Sequence, residues 1–121
     1  MAKKIMIVDD EPDLVAVTSF RLKKHGYDIL TAANGQEALD MIKKESPDLV
    51  LLDLRLPLLS GQDVCKKIKS DPELKNIAVI IFTASASIDI IEKAKTLGAD
   101  DHLIKPFDAE QLLSTVKKFI G

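Results

Sequence analysis

The chain has 121 residues, 46% hydrophobic and 30% charged, the size and balance of one globular domain with a single core. Seventeen Lys+Arg against nineteen Asp+Glu leave a net charge of -2, so no global field points to nucleic acid or an acidic membrane as partner. The apolar stretch Ile5 to Val8 ends at two aspartates and is too short for a signal peptide or a membrane span; a cytoplasmic soluble protein is expected. Cys65 is the only cysteine, which excludes an internal disulfide and leaves a small buried hydrophobe as its expected role.

In chain order, Ile5 to Val8 reads as a strand covered on both faces, and Pro12 suits the first turn of a helix that Asp10 or Glu11 would cap. Leu14, Thr18 and Leu22 form one stripe of that helix, and Gly26 supplies its stop. Asp28 to Ala32 is a short second strand. Asn34-Gly35 is a turn before a helix in which Ala38, Leu39 and Ile42 share a face, and Pro47 closes that segment. Asp48 to Asp53 is a third strand, followed by the loop RLPLLSG and a helix whose inner face carries Val64, Cys65 and Ile68. Ser70-Asp71-Pro72 breaks this helix. Ile77 to Phe82 forms a fourth strand, Ile88, Ile91 and Ala94 mark a fourth helix up to Gly98, and His102 to Lys105 is the fifth strand. Phe107-Asp108 leads into a last helix lined by Leu112, Val116 and Ile120.

Five βα units with short connections imply an α/β fold, a parallel sheet between two helix layers with right-handed crossovers. The pattern alone leaves strand order open. An order of 2-1-3-4-5 would set the first and third strands side by side at a topological switch point.

Five polar residues stand where apolar runs end: Asp9 and Asp10, Asp53, Thr83 and Lys105. Parallel strands deliver such ends to one edge, where three carboxylates, a hydroxyl and an ammonium would meet. Taken singly, the aspartates are ordinary caps, Thr83 a strand terminus and Lys105 a solvated end; their joint placement on one edge has no structural purpose. Clustered carboxylates repel and call for a cation. Oxygen ligands without His or Cys favour Mg²⁺, with Mn²⁺ as the alternative. Such a pocket suits phosphoryl transfer, with Asp53 as nucleophile.

The segments VDD at 8 to 10, LLDLRLPLLSG at 51 to 61, FTA at 82 to 84 and GADDHLIKPF at 98 to 107 resemble those of bacterial response regulator receiver domains, and the resemblance spans the whole chain. It implies a flavodoxin-like (βα)₅ doubly wound sheet in order 2-1-3-4-5, with residues 1–121 as one receiver domain of the two-component signalling type. By the same resemblance Asp53 is the phosphoacceptor and Asp9, Asp10, Asp53 and the backbone carbonyl of Arg55 are the Mg²⁺ ligands. Thr83 is the switch hydroxyl beside a small Ala84, Lys105 is the phosphate ion pair, and the Lys105-Pro106 bond is cis. His102 holds the position where receivers commonly carry a switching Tyr or Phe, a departure that is similar to single-domain phosphorelay receivers and also fits an ordinary surface residue.

The implied partners are a histidine kinase or histidine phosphotransfer protein, docking near the first helix and the Pro106-Phe107 loop, and a downstream protein effector. No direct nucleic acid or membrane partner is expected. The fourth helix, fifth strand and fifth helix would form the contact face of a monomer or weak dimer. The implied role is regulatory rather than enzymatic, with at most slow self-dephosphorylation tuned by Arg55 and Ser85. Rival readings are a receiver segment of a larger regulator or hybrid kinase, an aspartyl-nucleophile phosphohydrolase, and a flavin-binding flavodoxin. The phosphohydrolase would want a general acid where Arg55 stands, and Asp9 and Asp10 would repel a flavin phosphate.

Overall fold

The computed structural model describes residues 2–55, 60–84 and 88–121. Among these residues five strands alternate with five helices: β1 (Lys4–Val8), α1 (Pro12–Lys23), β2 (Asp28–Ala32), α2 (Gly35–Glu45), β3 (Leu49–Asp53), α3 (Gly61–Ser70), β4 (Ala78–Thr83), α4 (Ile88–Thr96), β5 (Asp101–Ile104) and α5 (Ala109–Ile120). All pairings are parallel, in the order β2-β1-β3-β4-β5. This is the expected doubly wound sheet, and the topology left open by hydrophobic pattern is settled as the one that makes β1 and β3 neighbours.

The three central strands β1, β3 and β4 read as apolar runs because both their faces are buried, whereas the edge strands β2 and β5 are partly exposed. Successive side chains point to opposite faces, so Met6, Val8, Val50, Leu52, Val79 and Ile81 pack with Ala38, Ile42, Val64, Cys65 and Ile68 on one side. Ile5, Ile7, Leu49, Leu51, Ile80 and Phe82 pack with Leu22, Leu112 and Val116 on the other. Burying each large aliphatic side chain contributes about 1.5–3 kcal/mol.

Local chemistry sets most helix ends. Asn34 accepts the Glu37 N–H, Ser60 accepts that of Asp63, and Asp108 with Gln111 forms a reciprocal capping box. α2 ends on Ser46 in the left-handed region (φ 46°), one residue before Pro47. Gly26 (φ 89°) turns the chain into β2.

Several expectations need correction. Neither Asp10 nor Glu11 caps α1: Glu11 stands at the N-cap but its side chain makes no cap bond. The reason is that its carboxylate is drawn elsewhere, as described below. β4 and β5 are each shifted by one residue from the expected spans, so Thr83 belongs to β4 and Lys105 lies just past β5. Ile88 and Ala94 both lie on α4 as expected, Ile88 71% exposed and Ala94 buried. Most of the loop RLPLLSG, residues 56–59, and Ser85 lie outside the described residues.

At the edge where the strands begin, side-chain carboxylates close the ladders. Asp48 Oδ2 accepts the Lys4 N–H at 2.8 Å, and Asp100 Oδ2 accepts the Val79 N–H at 2.8 Å. Lys69 joins this second knot, its Nζ donating to Asp100 Oδ2 (2.8 Å), the Ile77 carbonyl (2.7 Å) and the Lys75 carbonyl (3.1 Å).

Candidate functional site

At the opposite edge, where the strands end, the chain gathers its uncompensated acids. Asp9 extends β1 by donating its N–H to the Ala32 carbonyl (3.1 Å), and Lys105 continues β5 by donating its own to the Thr83 carbonyl (2.8 Å). Asp53 and Thr83 are the last residues of β3 and β4. Asp9, Asp53 and Thr83 are buried, while Asp10 is exposed.

The two buried carboxylates are held alike. Asp9 Oδ1 accepts the Glu11 N–H (2.9 Å) and Asp53 Oδ1 accepts the Arg55 N–H (3.0 Å), each two residues ahead. Their Oδ2 atoms both face Lys105 Nζ, at 2.8 Å from Asp9 and 3.4 Å from Asp53. Phe107, packed on buried Phe82 with ring centroids 4.9 Å apart and planes tilted by 39°, anchors the loop after Lys105. The Lys105-Pro106 peptide is cis, as expected.

Gly61 lets α3 start directly against the end of β3. A Cβ there would collide with the Asp53 carbonyl oxygen and stand 2.6 Å from Leu54 Cα.

Asp9, Asp10 and Asp53 each offer one carboxylate oxygen, and these atoms lie within 4.8 Å of one another. At an effective dielectric near 20, two charges at that separation repel by about 3–4 kcal/mol. One ammonium does not offset three anions. Each Oδ atom keeps a further lone pair beyond the bonds described, and the donors are all hard oxygens. The residues therefore fit a Mg²⁺ ion that retains several waters.

Burial pushes the Asp53 carboxyl above its ordinary pKa, and the Asp9 charge adds to this, while the Arg55 N–H and Lys105 pull it back. Burial alone would lower Lys105, yet its bonds to Asp9 and Glu11 and the nearby Asp53 charge outweigh that and raise it. The ammonium is thus locked in its charged form.

A cavity of about 260 Å³ opens over the cluster, lined by Asp10, Glu11, Asp53, Arg55, Thr83, Ala84 and Lys105. Of two larger clefts, the one of about 500 Å³ between α2 and α3 holds none of these residues, and the one of about 400 Å³ beside α1 is lined by Asp9 and Asp10 but not by Asp53, Thr83 or Lys105. The expected residues Asp9, Asp10, Asp53, Thr83 and Lys105 are thus brought to one edge, with Arg55 and Ala84 on the cavity wall. His102 is not part of that wall. It is half-buried on β5 with Nδ1 3.9 Å from Asp101 Oδ1, beside a small cleft formed with Ile91, Ala94, Lys95 and Ala99. Sequence reasoning missed Glu11, treated only as a cap. Its Oε1 lies 3.1 Å from Lys105 Nζ, and the one available signal was a third acid following Asp9 and Asp10.

Residues 5–117 match the family model of the response regulator receiver domain. The chain belongs to this family. The receiver is 43% identical over 120 residues to sporulation initiation phosphotransferase F of Bacillus subtilis, an alignment covering 99% of this chain and 95% of that protein. Its fold is similar to that of chemotaxis protein CheY4 of Vibrio cholerae, with a TM-score of 0.93 and 29% identity over 99% of this chain and 100% of that one. It is also similar to the receiver domain of a sensor histidine kinase from Pseudomonas aeruginosa, solved with magnesium coordinated in its active-site cleft; there the TM-score is 0.92 and the identity 28%, over 100% and 99% of the chains. No helix among the described residues of this receiver is long and apolar enough to cross a membrane.

Proposed function

We propose that residues 1–121 act as one receiver domain whose Asp53 accepts a phosphoryl group from a phosphohistidine on a partner kinase or phosphotransfer protein. A carboxylate oxygen of Asp53 forms the new P–O bond as the P–N bond breaks, and the bonding pair returns to the imidazole ring of the donor. Asp9, Asp10, Asp53 and the Arg55 carbonyl would hold Mg²⁺, which would supply positive charge to offset the carboxylates and the phosphoryl oxygens.

Lys105 pairs with one phosphoryl oxygen, and Thr83, at the end of the neighbouring strand, offers its hydroxyl to another. The small side chain of Ala84 leaves room for the group. Phosphorylation adds up to about two negative charges and three acceptor oxygens, and the responses of Thr83 and Lys105 carry that change toward α4, β5 and α5, the proposed effector face. His102 lies on this face. The single observation that carries the reading is the meeting of Asp9, Asp10 and Asp53 oxygens within 4.8 Å beside an ammonium that touches two of those carboxylates.

The test is transfer of labelled phosphate from candidate histidine kinases, with and without Mg²⁺. An acid-stable, base-labile acyl phosphate that requires Mg²⁺ and is lost in a folded Asp53→Asn variant is expected. Label that persists in that variant removes Asp53 from the role, and multiple turnover on a small phosphomonoester would make the protein a phosphohydrolase instead.

A further inference from the structure

A lysine ammonium has three N–H donors, and Lys105 has spent all three. They reach Asp9 Oδ2 at 2.8 Å, Glu11 Oε1 at 3.1 Å and Asp53 Oδ2 at 3.4 Å. A phosphoryl oxygen arriving at Asp53 can pair with Lys105 only by displacing one of these acceptors. The Asp9 side chain is fully buried, and stripping its cation would leave a carboxylate without compensation. Asp53 is the group to which the phosphoryl becomes attached. The Glu11 side chain is 62% exposed, so water takes over its solvation as soon as it lets go.

A second observation sets Glu11 apart. It occupies the N-cap of α1, where Ser, Thr, Asp or Asn would bond a free helix N–H. Its side chain makes no cap bond and reaches instead across the cavity mouth to a residue 94 positions away. A local rule is broken at the reaction site, and what replaces it is a bond to Lys105.

We propose that Glu11 is a positioning residue that occupies the third donor of Lys105 until a phosphoryl oxygen replaces it, and thereby sets how readily the site takes up phosphate. The role rests on the phosphoacceptor reading given above. Glu11 touches neither Asp53 nor the incoming group in this scheme; it acts through the lysine.

The test compares wild type with Glu11→Ala and Glu11→Asp, using labelled acetyl phosphate as a small donor so that partner docking plays no part. Mg²⁺ is held at a level that saturates each protein. The Asp variant keeps the charge but draws the carboxylate back by one methylene, toward the vacant cap. Initial labelling is expected to rise about two- to fivefold in both variants, the range spanned by an exposed ion pair. A rise in the Ala variant alone would show an effect of charge and overturn the proposal, as would no rise in either.

The ¹⁵Nζ signal of Lys105 in the unphosphorylated protein gives an independent readout. It is expected to shift in both variants, and an unmoved signal overturns the pairing. If wild type takes no label at all, the phosphoacceptor reading fails and this role with it; a Lys105 signal still moved by Glu11→Ala would then mark the pairing as structural alone.

Discussion

Asp9 and Lys105 are 96 positions apart in the chain and 2.8 Å apart in space. The contact joins the end of the first strand to the end of the last across a sheet in which they are not neighbours. It exists because every strand is parallel and every C-terminal end reaches the same edge. One cation then serves two buried carboxylates, and the remaining negative charge is left for a metal.

Asp53→Asn is expected to stabilise the fold at pH 7 without Mg²⁺. Burial holds the Asp53 pKa above its ordinary 3.8, so the native state binds that proton more tightly than the unfolded chain. Stability therefore falls as pH rises from 3.8 through the raised value, and the neutral variant escapes this loss. Urea midpoints should be higher for Asp53→Asn at pH 7 and should converge with wild type below pH 3.8. Added Mg²⁺ should narrow the gap by stabilising wild type.

Gly61→Ala sets a helix-propensity gain of up to about 1 kcal/mol against a methyl group driven into the main chain of Asp53 and Leu54. Backbone atoms cannot turn aside as a flexible side chain can. Overpacking of this kind costs about 1–3 kcal/mol, so a lower denaturation midpoint together with slower Asp53 labelling is expected. A variant as stable and as readily labelled as wild type would contradict the close approach.

Lys69→Met keeps the aliphatic stem and deletes the ammonium that serves Asp100 and two carbonyls. A loss of about 2–3 kcal/mol is expected, seen as a lower urea midpoint with an unchanged slope. Mg²⁺ affinity should stay within about twofold, because the knot and the site lie at opposite edges of the sheet and charges separated by a strand's length interact weakly across salt solution.

Cys65 is fully buried, and its thiol is pushed up to about 11 from 9.0, chiefly by burial. The native state keeps the proton longer than the unfolded state, so stability falls as pH climbs from 9 toward 11. A shift of this size corresponds to about 2–3 kcal/mol across that window. The stability difference between wild type and Cys65→Ala, followed by denaturant titration, should shrink across the same window. Alkylation of the native thiol at pH 8 should be far slower than in urea.

Much of this was legible from the chain because parallel strands buried on both faces leave continuous apolar runs, and runs such as Ile5–Val8 end in the residues that do chemistry. Strand order was legible only through the family motifs, since register between distant strands leaves no trace in local periodicity. Glu11 was misread because a local cap rule was applied to a side chain whose partner lies on the far side of the sheet. Lys69 resembles any solvated lysine of an amphipathic helix, and nothing in its neighbours tells of Ile77 or Asp100. Ile88 marked α4 correctly, yet it is exposed there, because apolar spacing locates a helix more readily than it tells which of its apolar residues are covered.

The knot of Lys69, Asp100 and Val79 fastens the feet of β4 and β5 on the rim away from the carboxylate cluster. The two strands are thus fixed at one end by an ion pair and its carbonyl contacts, and present at the other the Thr83 and Lys105 that line the cavity.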